Sequence, residues 1–183
     1  MPRRTSGAMT GSGGVERRET LSLNEWAVLV CLVERPRHGY DIAAELDPAA
    51  EMGTVWRVSR QLVYRALDRL SALGLAEPRQ AEPGAGGPPR QVFGASALGR
   101  ERALGWVQEP VAHLRDVRSG LLLKLVSARR LGVDIAPLVA AQRDRFAPAL
   151  VALAPAPPAS DPVSLWRHHS AAAVSAFLDA LDG

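Results

Sequence analysis

Residues Arg57 to Leu75 read RVSRQLVYRALDRLSALGL, and the fold turns on this stretch. Ser59 stands where a helix N-cap belongs, and Gly74 where a left-handed C-terminal cap belongs. Stepping ~100° per residue, Leu62, Val63, Ala66, Leu67, Leu70 and Leu73 fall on one side. The opposite arc holds Gln61, Tyr64, Arg65, Asp68 and Ala72, with Arg60 and Arg69 at its edges. The pattern predicts an amphipathic helix with an apolar inner face and a polar, basic outer one.

Upstream, Ser22 and Glu25 have capping-box spacing before an apolar run from Leu23 to Val33. That run is apolar almost all round, so it predicts a helix buried on most of its surface. Arg35-Pro36 ends it, because the residue before a proline resists the α conformation. RHGYDIAAELDP then reads as a short second helix: Gly39 permits a tight turn, Asp41 favours the first turn, and Pro48 marks the stop. Ile42, Ala43 and Leu46 give it an inner side, and His38 reads as structural or exposed. A loop carrying Met52 and Trp56 leads to the helix at 59–74. Residues 1–20 lack apolar periodicity and read as a disordered arm, with Arg3 and Arg4 in a solvated tail.

Downstream, the hydrophobic period changes. Leu75 to Ala81 and Arg90 to Ala95 read as two strands joined by EPGAGGPP, a β-hairpin with a long tip. Ser96 caps a helix that closes near Pro110. From 111 onward the chain reads as helices alone. VRSGLLLKLVSARRLG ends at Gly132, with Arg129 and Arg130 favourably placed at its C-terminal end. Asp134 starts a second helix, striped by Ile135, Leu138, Val139, Gln142, Phe146, Ala149, Leu150 and Leu153, in which Pro148 marks a kink or an early end. PAPPASDP is a stiff linker, and Asp161 with Pro162 opens a last helix with Val163, Trp166, Val174, Phe177, Leu178 and Leu181 on one face. The fold class is therefore mainly α with a small β-hairpin. A winged helix-turn-helix spans 21–110, and an antiparallel helical dimerisation domain spans 111–183.

Composition narrows the function. The chain has 183 residues, 47% of them apolar, enough for a sizeable core, and a net charge of +3. The charge is unevenly placed: six acids face two arginines between Glu25 and Glu51, and eight arginines face four acids between Arg57 and Arg102. A local basic surface on a nearly neutral protein suits a specific contact with a polyanion, although a solvated charged surface gives the same count. Cys31 is the only cysteine, which excludes an intrachain disulfide or a cysteine-cluster metal site; inside WAVLVCLV it reads as a buried, inert thiol. No apolar run is long enough to span a bilayer and no signal core opens the chain, so a cytoplasmic protein with no membrane partner is expected.

No enzyme chemistry emerges. GAGG at 84–87 leads into prolines and a strand, without the Lys-Ser/Thr or helix start of a phosphate loop. His168 and His169 are adjacent, point ~100° apart on a helix and cannot chelate one ion together; both read as solvent-facing. No HExxH, CxxC or nucleophile-elbow motif occurs. The tryptophans and Met52 read as core, and no metal or cofactor is expected. The order of helices followed by a hairpin matches a winged helix-turn-helix, whose reading helix enters the major groove. Gln61 suits adenine, Arg60 and Arg65 suit guanine or phosphate, and Tyr64 suits phosphate or a base. Arg69, Arg79 and Arg90 complete the expected DNA-binding set with Ser59. A winged-helix protein-interaction module is the alternative, favoured by Asp68 on the outer arc and the acidic second helix.

HGYDI at 38–42, VSRQLVYRALDRLSALGL at 58–75, GGPPRQVFGASALGR at 86–100 and Trp56 together resemble the PadR-like transcriptional regulators. The C-terminal half resembles that family's longer, virulence-activator-like subfamily in its length, in the LxKL pattern at 122–125 and in Trp166. The resemblance implies a bacterial repressor working as a homodimer on a pseudo-palindromic operator, with Ser59, Tyr64 and Arg90 as DNA contacts by position. Gln61-Leu62 stands where the family often has Gly-Thr, and Phe93 and Ser96 replace Tyr and Thr at the hairpin exit; the first change bears on operator sequence rather than docking. Apolar stripes on the C-terminal helices point to a two-fold partner, with Leu121, Leu125, Phe146, Leu150, Trp166, Phe177, Leu178 and Leu181 expected at the dimer contact. Double-stranded DNA, a second copy and a small-molecule effector are the expected partners.

Overall fold

The computed structural model describes residues 20–79, 91–158 and 160–181. The expected N-terminal arm up to residue 19, the whole hairpin tip at 82–89 and Arg90 lie outside them. Within them the fold is mainly helical with one small antiparallel sheet. α1 is Leu23–Glu34, opened by the expected capping box: Glu25 N–H bonds the Ser22 hydroxyl while the Glu25 carboxylate accepts from Ser22 N–H. Every residue from Trp26 to Val33 is buried, so this helix is the axis of the first core.

α2 is Gly39–Glu45 and α4, the amphipathic helix expected after Ser59, is Arg60–Ala72. Between them the expected loop holds a short helix, α3 (Glu51–Val55), which buries Met52 and Gly53. Met52 Sδ lies 3.9 Å from the buried Cys31 thiol, whose pKa burial pushes up to about 12, in keeping with an inert core cysteine. Gly39 sits inside α2 rather than in a turn before it.

The sheet has three strands, not two. β1 (Arg37–His38) and β2 (Ala76–Pro78) flank β3 (Val92–Ala95), both antiparallel to it. Pro78 is tolerated because β2 is an edge strand. Gln91 ties the wing root together, its side-chain amide donating to the carbonyls of Arg79 and Val92 at 2.8 and 2.9 Å.

Two glycine caps were legible. Gly74 adopts φ +67°, Gly74 N–H bonds the Ser71 carbonyl and Leu75 N–H bonds the Leu70 carbonyl, a Schellman stop for α4. Gly132, at φ +66°, repeats the pattern through Ala128 and Arg129. The Ser96 hydroxyl caps α5 (Ala97–Gln108) by accepting from Gly99 N–H, and donates to the Gly74 carbonyl at 2.7 Å.

After α5 the chain passes through a 3₁₀ turn, Leu114–Asp116, and a π turn, Val117–Leu121, before α6 (Leu122–Arg130). α6 packs into the first core through Leu123 and Ala128, and Trp26 stacks on Trp106 beneath it, ring centroids 4.9 Å apart. α7 (Ala136–Leu153) runs through Pro148 without ending, and α8 (Pro162–Ala180) opens on the expected Asp161 cap. These two lie antiparallel: His168 Nδ1–H donates to the Leu153 carbonyl at 2.8 Å, and Arg143 spans from α7 to Asp179 and the Leu178 carbonyl. His168 is thus a structural tether, not the solvent-facing residue expected.

A second core gathers Val111, Leu121, Leu138, Val139, Phe146 and Leu178. Gln142, placed on the apolar stripe by sequence, is fully buried there. It takes the Val111 N–H on Oε1 (2.7 Å) and gives Nε2–H to the Val111 carbonyl (3.1 Å). Gln142→Leu keeps the volume but strands both backbone groups. The expected loss is about 2 kcal/mol, most of it from the orphaned N–H, read as the midpoint shift in a urea titration.

Charge also fastens α6 to the elements of the first core. Arg37 and Arg130 alternate with Glu34 and Glu45 in a closed ring: Arg37–Glu34 2.6 Å, Glu34–Arg130 2.7 Å, Arg130–Glu45 2.9 Å and Glu45–Arg37 3.3 Å. The Arg37 side chain is 3% exposed, and the ring unites α1, β1, α2 and α6. Burial pushes the Glu34 carboxyl up, but the hydrogen bonds and charges of Arg130 and Arg37 outweigh it and hold the group below its ordinary value. Of the six acids counted between Glu25 and Glu51, Glu34 and Glu45 are committed here. Arg129 adds a bond to Glu51.

Candidate nucleic-acid interface

α4 is seated by Val63, Ala66, Leu67 and Leu70, all buried. Its outer arc, Gln61, Tyr64, Arg65, Asp68 and Ala72 with Arg60 and Arg69 at the edges, is exposed as expected. The side chains of Gln61 and Arg65 make no hydrogen bond or ion pair with any described residue. Their donors are open to a ligand, the state a base-reading side chain needs before binding.

Leu62 departs from the reading. It was placed on the inner face but is 37% exposed, at the rim beside Arg69 and Arg65. Its angular distance from the centre of the buried stripe is about 90°, a margin at which burial depends on what packs beside the helix. Ser59 occupies the N-cap position, yet its hydroxyl makes no capping bond. The hydroxyl is exposed and open, which suits a phosphate contact better than a structural one.

The other expected contacts are more constrained. Arg69 Nε pairs with Glu25 at 2.8 Å, so it ties α4 to α1. Arg79, at the wing root, pairs with Glu77 at 2.8 Å across an exposed surface; such a pair is worth ~0–1 kcal/mol and yields readily to a phosphate. The Arg60 guanidinium lies 4.8 Å from the centroid of the Tyr40 ring, and Tyr64 packs against Gly39. Sequence reasoning gave neither contact, because the partners are ~20 or more residues apart and meet only when α2 crosses α4.

The expected dimer residues divide. Leu121, Phe146 and Leu178 are buried in the protomer's own second core. The stripes of α7 and α8 satisfy one another there, a solution periodicity alone could not separate from an intermolecular one. Leu125, Leu150, Phe177 and Leu181 are half-buried at its margin, and Trp166 stands 73% exposed on α8, with Val151 and Val163 also exposed.

A groove of about 1140 Å³ lies between α1, α5 and the stretch running from Val111 into α6. Its walls include Trp26, Arg102, Trp106, Asp116, Gly120 and Lys124. Lys124 donates to the Trp106 carbonyl and sits 4.2 Å from that ring's centroid. Burial lowers its pKa to about 8, against the opposing pull of Glu109. Among the described residues no group of His, Cys, Asp or Glu side chains is arranged to hold a metal ion, and no helix is long and apolar enough to cross a membrane.

Residues 28–104 match the family model described as Transcriptional regulator PadR-like family. No curated protein matches the chain. Among solved structures, the chain is similar to Bacillus subtilis PadR in complex with operator DNA, at 16% identity over 87% of this chain and 97% of that one, with a TM-score of 0.47. It is similar to the same protein in complex with p-coumaric acid, at 17% identity over 87% and 96%, TM-score 0.43. A PadR-like transcriptional regulator from Bacillus cereus is 19% identical over 88% and 95%, TM-score 0.43. These TM-scores lie below 0.5.

Proposed function

We propose that this chain is a PadR-like transcriptional regulator, a reading supported by the match over residues 28–104, and that it represses transcription by binding a pseudo-palindromic operator as a homodimer. PadR-like transcriptional regulators are DNA-binding proteins and not enzymes. The observation that carries the reading here is the unengaged pair Gln61 and Arg65, on the exposed face of a helix whose opposite face is locked into the core. A helix held in that way can enter a major groove without reorganising. Gln61 reads a base, Arg65 reads guanine or grips phosphate, and Ser59, Tyr64 and the wing arginines Arg79 and Arg90 take the backbone. Asp68 on the same arc repels phosphate and favours the protein-interaction alternative, but one acid among Arg60, Arg65 and Arg69 leaves the arc basic.

The second copy joins through the C-terminal helices, where Trp166 and the margin residues Leu125, Leu150, Phe177 and Leu181 are the available apolar surface. The region beyond 110 serves as the longer subfamily's dimerisation domain in this reading. Two reading helices then sit roughly 34–36 Å apart, one duplex turn. Release is by a small-molecule effector in the groove beside Trp26 and Trp106, which lies between the body holding α4 and the chain leading to the second core. Such a protein works in the cytoplasm.

Arg65→Ala is expected to weaken operator binding by about 1–3 kcal/mol, roughly 5- to 150-fold, in a gel-shift titration against a duplex obtained by genomic selection. Unchanged affinity would take Arg65 out of the interface. A single species of monomer mass by light scattering at micromolar concentration would contradict the dimer.

A further inference from the structure

The first turn of α2 places two consecutive residues against two side chains of α4 that are one helical turn apart. Tyr40 is 52% exposed, and its ring carries the Arg60 guanidinium at 4.8 Å. Gly39, just before it, is buried. A Cβ there would lie 2.8 Å from Tyr64 Cε1, 3.0 Å from its Cζ and 3.1 Å from Leu67 Cδ1. Arg60 and Tyr64 form one edge of the outer arc, whereas Gln61 and Arg65 stand clear of any described partner.

We propose that Tyr40 is a positioning residue for DNA recognition, holding Arg60 stacked at the edge of the reading helix, while the absent side chain of Gly39 admits the Tyr64 ring beside it. The proposal rests on the DNA-binding reading above. Arginine carries a large rotamer entropy, and fixing its guanidinium before binding removes part of that cost from the binding step. A cation–π contact engages the charge of the guanidinium through the ring face, and leaves the N–H donors of the guanidinium fork available to an acceptor. Because Tyr40 is half-exposed and its hydroxyl makes no hydrogen bond with a described residue, core packing does not explain its ring. The division of labour follows: the Arg60–Tyr64 edge arrives preset from α2, and Gln61 and Arg65 adjust to the base edges.

The test uses the full chain, the selected duplex and four variants: Tyr40→Phe, Tyr40→Leu, Arg60→Ala and the double Tyr40→Leu/Arg60→Ala. Tyr40→Phe keeps the ring and is expected to bind like the parent. Tyr40→Leu is expected to weaken binding about 2- to 5-fold, and the double variant to match Arg60→Ala alone. NMR of the DNA-free protein supplies an independent readout: the Arg60 side-chain resonances carry a ring-current shift in the parent and in Tyr40→Phe that Tyr40→Leu abolishes. Additive losses in the double variant, a Tyr40→Phe defect equal to that of Tyr40→Leu, or an Arg60 shift that survives Tyr40→Leu each overturn the proposal. A parent chain with no duplex affinity at low salt contradicts the DNA-binding reading, and the Tyr40 proposal falls with it; the Arg60 shift then shows that the stacking itself was correctly placed.

Discussion

Gly99→Ala is expected to lower the midpoint of thermal unfolding by roughly 6–12 °C, from a loss of about 3 kcal/mol or more. A Cβ at Gly99 would lie 2.0 Å from the Leu75 carbonyl oxygen and 3.2 Å from Leu29 Cδ1. The oxygen cannot retreat, because Leu75 O accepts from Ser96 N–H at 3.0 Å while the Ser96 hydroxyl holds the Gly74 carbonyl. The added methyl therefore pushes α5 away from the junction where α4 ends and the wing begins. Gly105 on the same helix has no atom within 4 Å of its would-be Cβ. Gly105→Ala is the control, expected to raise stability by ~0.5–1 kcal/mol through helix propensity alone. Differential scanning fluorimetry of the two variants separates backbone collision from a general intolerance of α5 to alanine.

Arg37→Met is expected to cost about 3 kcal/mol by urea titration, through the ring of Arg37, Glu34, Arg130 and Glu45. The loss of one partner of a buried pair leaves uncompensated charge. The two carboxylates keep about a quarter of their exposure, which holds the figure at the lower end of the range for such losses. The exposed Arg129–Glu51 pair is the contrasting case, worth no more than ~0–1 kcal/mol. The ring also sets a pH dependence. The folded Glu34 carboxyl titrates below its unfolded value of 4.5, so the unfolded state binds more protons in between. Its contribution is complete above the unfolded value and is lost as pH falls through the folded one. Glu34→Gln is expected to flatten stability against pH over that acid window and leave it unchanged in slope near neutrality.

Local signals carried much of the fold. The Ser22–Glu25 box, the Gly74 and Gly132 stops, the Ser96 and Asp161 caps and the inward stripe Val63–Leu70 each depend on residues within one turn of each other, and each stands where the sequence puts it. What escaped depends on distant partners. β1 is two residues long and exists because β3 pairs with it; two residues show no alternation. α3 holds Gly53, whose would-be Cβ would meet the Asp47 carbonyl oxygen at 1.8 Å, and the close approach that fixes it leaves no cap signature. Gln142 looks misplaced on an apolar stripe until Val111 arrives from 31 residues away. Of the candidate interface, the outer arc of α4 was legible from the helical period. Leu62 at its rim was not, since a residue 90° from the centre of a stripe is buried or exposed according to what packs beside it. Ser59 shows a related gap: its position marks the helix start, but its hydroxyl is left for something else.

The central claim is that the outer face of α4 reads duplex DNA. Fluorescence anisotropy of the full chain on a labelled operator duplex, against a scrambled duplex of equal length, measures it most directly across a series of salt concentrations. The account predicts a preference for the operator that Gln61→Ala and Arg65→Ala both reduce, with affinity falling linearly as log salt rises, since phosphate contacts release counterions. Equal affinity for both duplexes, unmoved by either substitution, would contradict it.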